Sequence, residues 1–141
     1  MTDYEKSNAI VEVDYKRLSK KEYASLLNDT NRTRTGQALL DYLCDKYNIR
    51  RIPLVVLEKP RLCIKNGQRY GFYQRTGMRG IKIVIYNITA KTNQKVAIKT
   101  FANTLLHEFI HHYDTEYLKI ETMHALGFNK RITDLQKKLS K

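Results

Sequence analysis

The sequence predicts an α+β domain, and three observations lead there. Leu39, Leu40, Leu43 and Tyr47 recur at helical spacing between Arg34 and Tyr47. From Ile52 to Ile88 the pattern changes to short β-rich runs separated by turn residues. Beyond that, apolar residues return to helical spacing twice, from about Thr92 or Asn93 to Asp114 and from about Met123 to Leu139. Helix, sheet, helix, helix is an α+β order, with a small, twisted, mostly antiparallel or mixed sheet packed on the long helix that follows it.

Taken along the chain, residues 1–30 are polar and mixed, a flexible or peripheral segment with a short helix around Lys21 to Leu27. The amphipathic helix from Arg34 has one weak point, Gly36, and Pro53 closes off the helical pattern because proline has no amide hydrogen. Leu54 to Leu57 is a β-rich run ended by Pro60. Tyr70 to Tyr73 is short and aromatic, and Ile81 to Tyr86 is rich in β-branched residues. Turn signals at Asn66-Gly67 and Gly77 to Gly80 predict three or four strands joined mostly by hairpins. Thr92 or Asn93 suits the N-cap of the long helix, whose buried stripe is Ile98, Phe101, Leu105 and Phe109. Phe128, Ile132, Leu135 and Leu139 fall on one face of the last helix.

A chain of 141 residues fits one domain, residues 1–141, and is too short for two. No apolar run is long enough to cross a bilayer, and the first residues lack the basic-then-apolar layout of a signal peptide, so a cytoplasmic protein is expected. The two cysteines, Cys44 and Cys63, form no CxxC pair, which excludes a cysteine-based zinc ribbon and leaves two free thiols. The formal charge of +12 is high for this length. Between Lys59 and His107 every charged residue is Lys or Arg, a field that attracts polyanions unless it is merely solvated. Arg69, Arg75, Arg79 and Lys82 are the candidate nucleic-acid contacts, and Tyr70, Phe72 and Tyr73 either stack on bases or pack in the sheet.

The chemistry concentrates at His107-Glu108-Phe109-Ile110-His111. An α-helix turns about 100° per residue, so side chains four apart project from one face and both imidazoles can reach one ion. Zinc takes neutral imidazole nitrogens at about 2.0–2.1 Å, and a catalytic site uses three protein ligands with the fourth position left for water. The ion lowers the pKa of that water to about 7, and the neighbouring Glu108 is placed to take its proton as general base. The third ligand must come from downstream. His124, thirteen residues after His111, is the first candidate; Glu121, Glu116 and Asp114 compete with it. Asp114 also returns near the face of His107 and either orients a ligand histidine from behind or is a solvated residue at the helix end. His112 points about 100° away from His111 and reads as a surface or packing histidine. A non-catalytic module that binds protein or nucleic acid around a structural zinc is the alternative, although such a site has no need of a base beside the metal.

The run Asn103-Thr-Leu-Leu-His-Glu-Phe-Ile-His-His-Tyr-Asp114, followed by His124-Ala-Leu-Gly-Phe128-Asn-Lys-Arg-Ile132, resembles the SprT-like zincin metallopeptidases, among them the Spartan-type proteases of DNA–protein crosslinks. The resemblance spans roughly Leu105 to Leu135. It implies His107, His111 and His124 as zinc ligands, Glu108 as catalytic base, Phe128 as the aromatic that follows the third histidine, and a small mixed sheet above the cleft. It further implies a protein or peptide substrate laid along a sheet edge, either Tyr70 to Gln74 or Ile81 to Tyr86, with DNA as an associated partner. Two departures stand out. Ala125 replaces the glycine that usually follows the third histidine, with Gly127 two positions later, and the zinc ribbon that follows the core in many members has no counterpart.

Overall fold

In a computed structural model of the chain, residues 2–14, 18–28, 30–59, 70–76, 80–89 and 94–139 are described. They form helices α1 (Asp3–Ala9), α2 (Lys20–Leu26) and α3 (Arg32–Tyr47), strands β1 (Leu54–Leu57), β2 (Gly71–Thr76) and β3 (Gly80–Tyr86), then helix α4 (Ile98–Tyr113), a π-helical turn (Asp114–Leu118) and helix α5 (Leu126–Leu139). The architecture is mixed α+β, and no helix among the described residues is long and apolar enough to cross a membrane.

The sheet order is β1-β3-β2, with β3 parallel to β1 and antiparallel to β2. Among the described strands, the expected antiparallel neighbours are β2 and β3, while β1 pairs in parallel. Strand β3 is central because Ile81, Ile83, Val84 and Ile85 are all buried, and the consecutive Ile83, Val84 and Ile85 need cover on both faces. Helices α3 and α4 pack against the sheet, and α5 packs on α4 and receives α1 and α2. The weak point at Gly36 has a packing reason. A Cβ there would overlap the Leu54 side chain and sit 3.1 Å from the Phe101 ring, so glycine lets α3, β1 and α4 meet. Asn48, in the left-handed conformation at φ 54°, ends α3, with the Ile49 amide returning to the Cys44 carbonyl.

Helix α4 starts later than its sequence suggests. Residues 87–89 and 94–96 spend backbone groups elsewhere: Ile88 and Lys95 form an antiparallel bridge, the Thr89 amide donates to the Gln94 carbonyl, and the Val96 amide to the Asn87 carbonyl. Helix geometry begins only after Ala97. The proposed cap residues Thr92 and Asn93, the turns at 66–67 and 77–79, and Cys63 lie outside the described residues. Helix α5 likewise begins at Leu126, so His124 stands in the bend before the helix and not on its first turn.

Cys44 and Tyr23 are buried, and burial pushes both up to about 12, from ordinary values of 9.0 and 10.0. Each group is neutral in the folded chain while the unfolded chain ionises at lower pH, so stability present below about pH 9 is lost as pH rises toward 12. Denaturant midpoints are expected to hold steady from pH 7 to 8.5 and then fall. Cys44 alone should account for about 2–3 kcal/mol between pH 9 and 11, a share that Cys44→Ala removes from the slope. A flat profile to pH 11 would contradict this.

Candidate metal centre

The last three turns of α4 carry His107, Glu108 and His111 toward the cleft beside β2. The chain then has to come back. The π-helical turn and Lys119, held in the left-handed conformation at φ 59°, reverse it, and the Ile120 amide donates to the Asp114 carbonyl at 3.0 Å. That reversal returns Thr122 and His124 over the end of α4.

The nitrogens that His107, His111 and His124 offer lie within 4.8 Å of one another. His111 Nε2 and His124 Nε2 are 3.1 Å apart. Two ligands of one tetrahedral ion would stand roughly 3.3 Å apart at ordinary zinc–nitrogen lengths. The acidic competitors are occupied elsewhere or lie outside this cluster. Glu116 pairs with Arg50 at 3.0 Å and Arg75 at 3.4 Å, Asp114 pairs with Arg131 at 2.7 Å, and Glu121 is exposed. Glu108 Oε2 stands 3.9 Å from His107 Nε2, and Oε1 stands 4.0 Å from His111 Nε2. Its carboxylate is thus beside the nitrogens but too far to bond them directly.

The histidines are held from below by Phe128. Its buried ring lies 4.3 Å from the His111 ring, 5.2 Å from that of His124 and 5.3 Å from that of His107. Tyr73 of β2 also stacks on His111 at 5.9 Å, which assigns it to packing at the site. Phe72 packs near Tyr86 across the sheet at 6.2 Å.

Behind His111 runs a chain of polar contacts. The Thr122 hydroxyl donates to Asp114 Oδ2 at 3.2 Å and lies 2.8 Å from His111 Nδ1. A hydroxyl has one hydrogen, so toward His111 it presents a lone pair and Nδ1 carries the ring hydrogen. Nε2 is then the nitrogen with a lone pair for a metal, which is the tautomer a ligand needs. Burial pushes the Asp114 carboxyl upward, and the Arg131 guanidinium and the Thr122 hydroxyl act against it. His112 is fully buried and points away from the cluster. Its Nε2 donates to the Arg50 carbonyl at 2.7 Å, Nδ1 lies 3.4 Å from the Tyr73 hydroxyl, and burial holds it below the ordinary imidazole range.

Three imidazoles with nitrogens converging on one point are a donor set that suits zinc. A cleft of about 240 Å³ reaches this point between Gly71, Phe72 and Tyr73 on one side and Thr122, Met123 and His124 on the other. A second, of about 270 Å³, shares His107 and Glu108 and continues past Tyr70, Thr104 and Gln136. A larger hollow of about 510 Å³, bounded by Tyr23, Leu27, Ile98 and Leu139, is lined by none of the three histidines.

Of the four candidate nucleic-acid residues, the two that are described, Arg75 and Lys82, line neither cleft. Arg75 is ion-paired with Glu116, Lys82 is half-buried on β3 opposite Gln74, and Arg69 and Arg79 lie outside the described residues. Sequence reasoning missed Thr122 and Arg131. Thr122 carries no signal of its own. Arg131 does, because it stands three residues after Phe128 on the apolar stripe of α5, where a charged side chain must find buried partners. Compared with known proteins, the chain matches no protein-family profile, no curated protein and no solved structure.

Proposed function

We propose that the chain is a zincin-type zinc metallopeptidase that hydrolyses peptide bonds in a protein substrate. The observation that carries this reading is the place of Glu108. Its carboxylate lies about 4 Å from two of three convergent imidazoles, at the junction of two clefts. A structural site has no use for such a group there.

His107, His111 and His124 would hold the ion, which when bound supplies a Lewis acid for a substrate carbonyl and for water. Glu108, only 5% exposed, then accepts a proton from the attacking water and returns it to the departing amine, so that the carboxylate is regenerated in each turnover. Among the described strands β2 is an edge strand, and it borders the cleft, which supports an extended substrate backbone lying along it. Tyr73 and Phe128 both pack on the His111 ring and help to hold its direction.

The test is metal content joined to cleavage. Purified chain is expected to carry one zinc ion, and His107→Ala or His124→Ala to lose most of it. Digestion of an unfolded protein such as casein should stop with a chelator and resume on adding zinc. Absence of both bound zinc and chelator-sensitive cleavage would end the proposal.

A further inference from the structure

Arg131 is fully buried, and its guanidinium has five N–H donors to satisfy. Nε donates to Asp114 Oδ1 at 3.0 Å and Nη2 to Asp114 Oδ2 at 2.7 Å. The other three go to the N-terminal segment: Nη1 to the Ser7 carbonyl at 2.6 Å and the Ile10 carbonyl at 2.7 Å, and Nη2 to the Ser7 hydroxyl at 3.1 Å. The same segment reaches the first turn of α5, just after the bend that carries His124, since the Gly127 amide donates to Asn8 Oδ1 at 2.7 Å. One continuous path therefore runs from Ser7 and Ile10 through Arg131, Asp114 and Thr122 to His111 Nδ1.

We infer that the N-terminal segment through Ile10 is a positioning element of the metal site, so that its docking sets the affinity for zinc. This rests on the metal-binding reading above. With the segment in place, the guanidinium is saturated, Asp114 is fixed, and the Thr122 hydroxyl has one acceptor to point at. It then offers its lone pair to His111, whose Nε2 faces the other two histidines. With the segment displaced, three guanidinium donors lose their acceptors and water must enter the buried pair. The Thr122 hydroxyl and the His111 ring lose their fixed direction. Partners behind a ligand histidine typically change metal affinity by about 10–100-fold. The segment thus works as a latch, and any event that lifts it off α5 would weaken metal binding by that factor.

Gly127 gives a clean way to lift it. A Cβ at this position would overlap the Ser7 carbonyl oxygen and lie 2.7 Å from Asn8 Cα, while touching none of Arg131, Asp114, Thr122 or His111 in its nearest contacts. Gly127 is on the first turn of α5, where alanine favours the helix, so the substitution acts through the segment. The experiment measures zinc affinity of the full chain by competition with a chromophoric chelator, with the helical signal recorded alongside. Gly127→Ala and Thr122→Val are each expected to weaken zinc binding about 10–100-fold with helix content kept. Leu43→Ala, which opens the core far from the path, should lower thermal stability and leave the affinity of the folded chain unchanged. If Gly127→Ala does not fold, Asn8→Ala, which removes only the acceptor of the Gly127 amide, takes its place with a smaller loss in the same direction. Wild-type affinity in folded Gly127→Ala, or in Asn8→Ala where that replaces it, overturns the inference. Failure of the wild-type chain to bind zinc would instead overturn the reading beneath it.

Discussion

Glu108→Gln is expected to keep a full complement of zinc and to lose cleavage by about 10²–10⁴-fold, the usual contribution of a positioned general base. The amide has the size of the carboxylate but cannot accept a proton at neutral pH. The separation of the two readouts follows from geometry. Glu108 stands 3.9–4.0 Å from the nearest imidazole nitrogens, so it is not one of the three groups that converge on the metal position. Its side chain is nearly buried, which makes Gln a better replacement than Ala because it leaves no cavity. Measuring zinc by mass spectrometry and turnover on the same sample decides between outcomes. Full zinc with unimpaired turnover would remove Glu108 from the chemistry. Full zinc with no turnover in the wild type either would favour a non-catalytic zinc module. Parallel loss of zinc and cleavage would make Glu108 a ligand.

How much of this was legible beforehand depends on the range of the interaction. Helices α3, α4 and α5 and strand β3 announce themselves because one buried face imposes a period on neighbouring residues. The pair His107 and His111 is legible for the same reason, since four residues make about one turn. Helix α1 is not, because seven mostly polar residues are held by Gly127 and Arg131, 119 and 124 residues away. Strand order is legible only in part. Short runs with turns between them suggest neighbours, yet β1 pairs with β3 in parallel and skips β2, a choice made by what buries the Ile81, Ile83 and Ile85 face. His124 could be named as a ligand candidate by residue type alone, but the return of the chain depends on a π-helical turn and a left-handed lysine that no local preference predicts. Thr122 and Arg131 matter only because of what lies next to them after folding.

The largest stability effect is expected at the buried ion pair behind the site. Asp114 and Arg131 side chains are both 0% exposed and joined by two hydrogen bonds at 2.7 and 3.0 Å. Two charges that leave water together are tolerable because each compensates the other, but a single survivor has no such partner. Asp114→Ala leaves a buried guanidinium with two donors unmet, and about 3–5 kcal/mol of stability should go with it. For a chain of this size that is a fall of roughly 10–20 °C in Tm. Arg131→Met should cost as much, because it strands the carboxylate and also frees the Ser7 and Ile10 carbonyls. Joining Asp114→Leu to Arg131→Met removes both charges and fills the space with apolar atoms. The double variant is therefore expected to recover much of the loss, and to be far more stable than the sum of the single effects predicts. Zinc affinity should not recover with it, since Thr122 has still lost the acceptor that turns its lone pair toward His111. That split tells a pair that merely holds the fold from one that also aims the histidine. Single variants that melt within about 1 kcal/mol of wild type would mean that water already reaches the pair, because an exposed ion pair is worth no more than that.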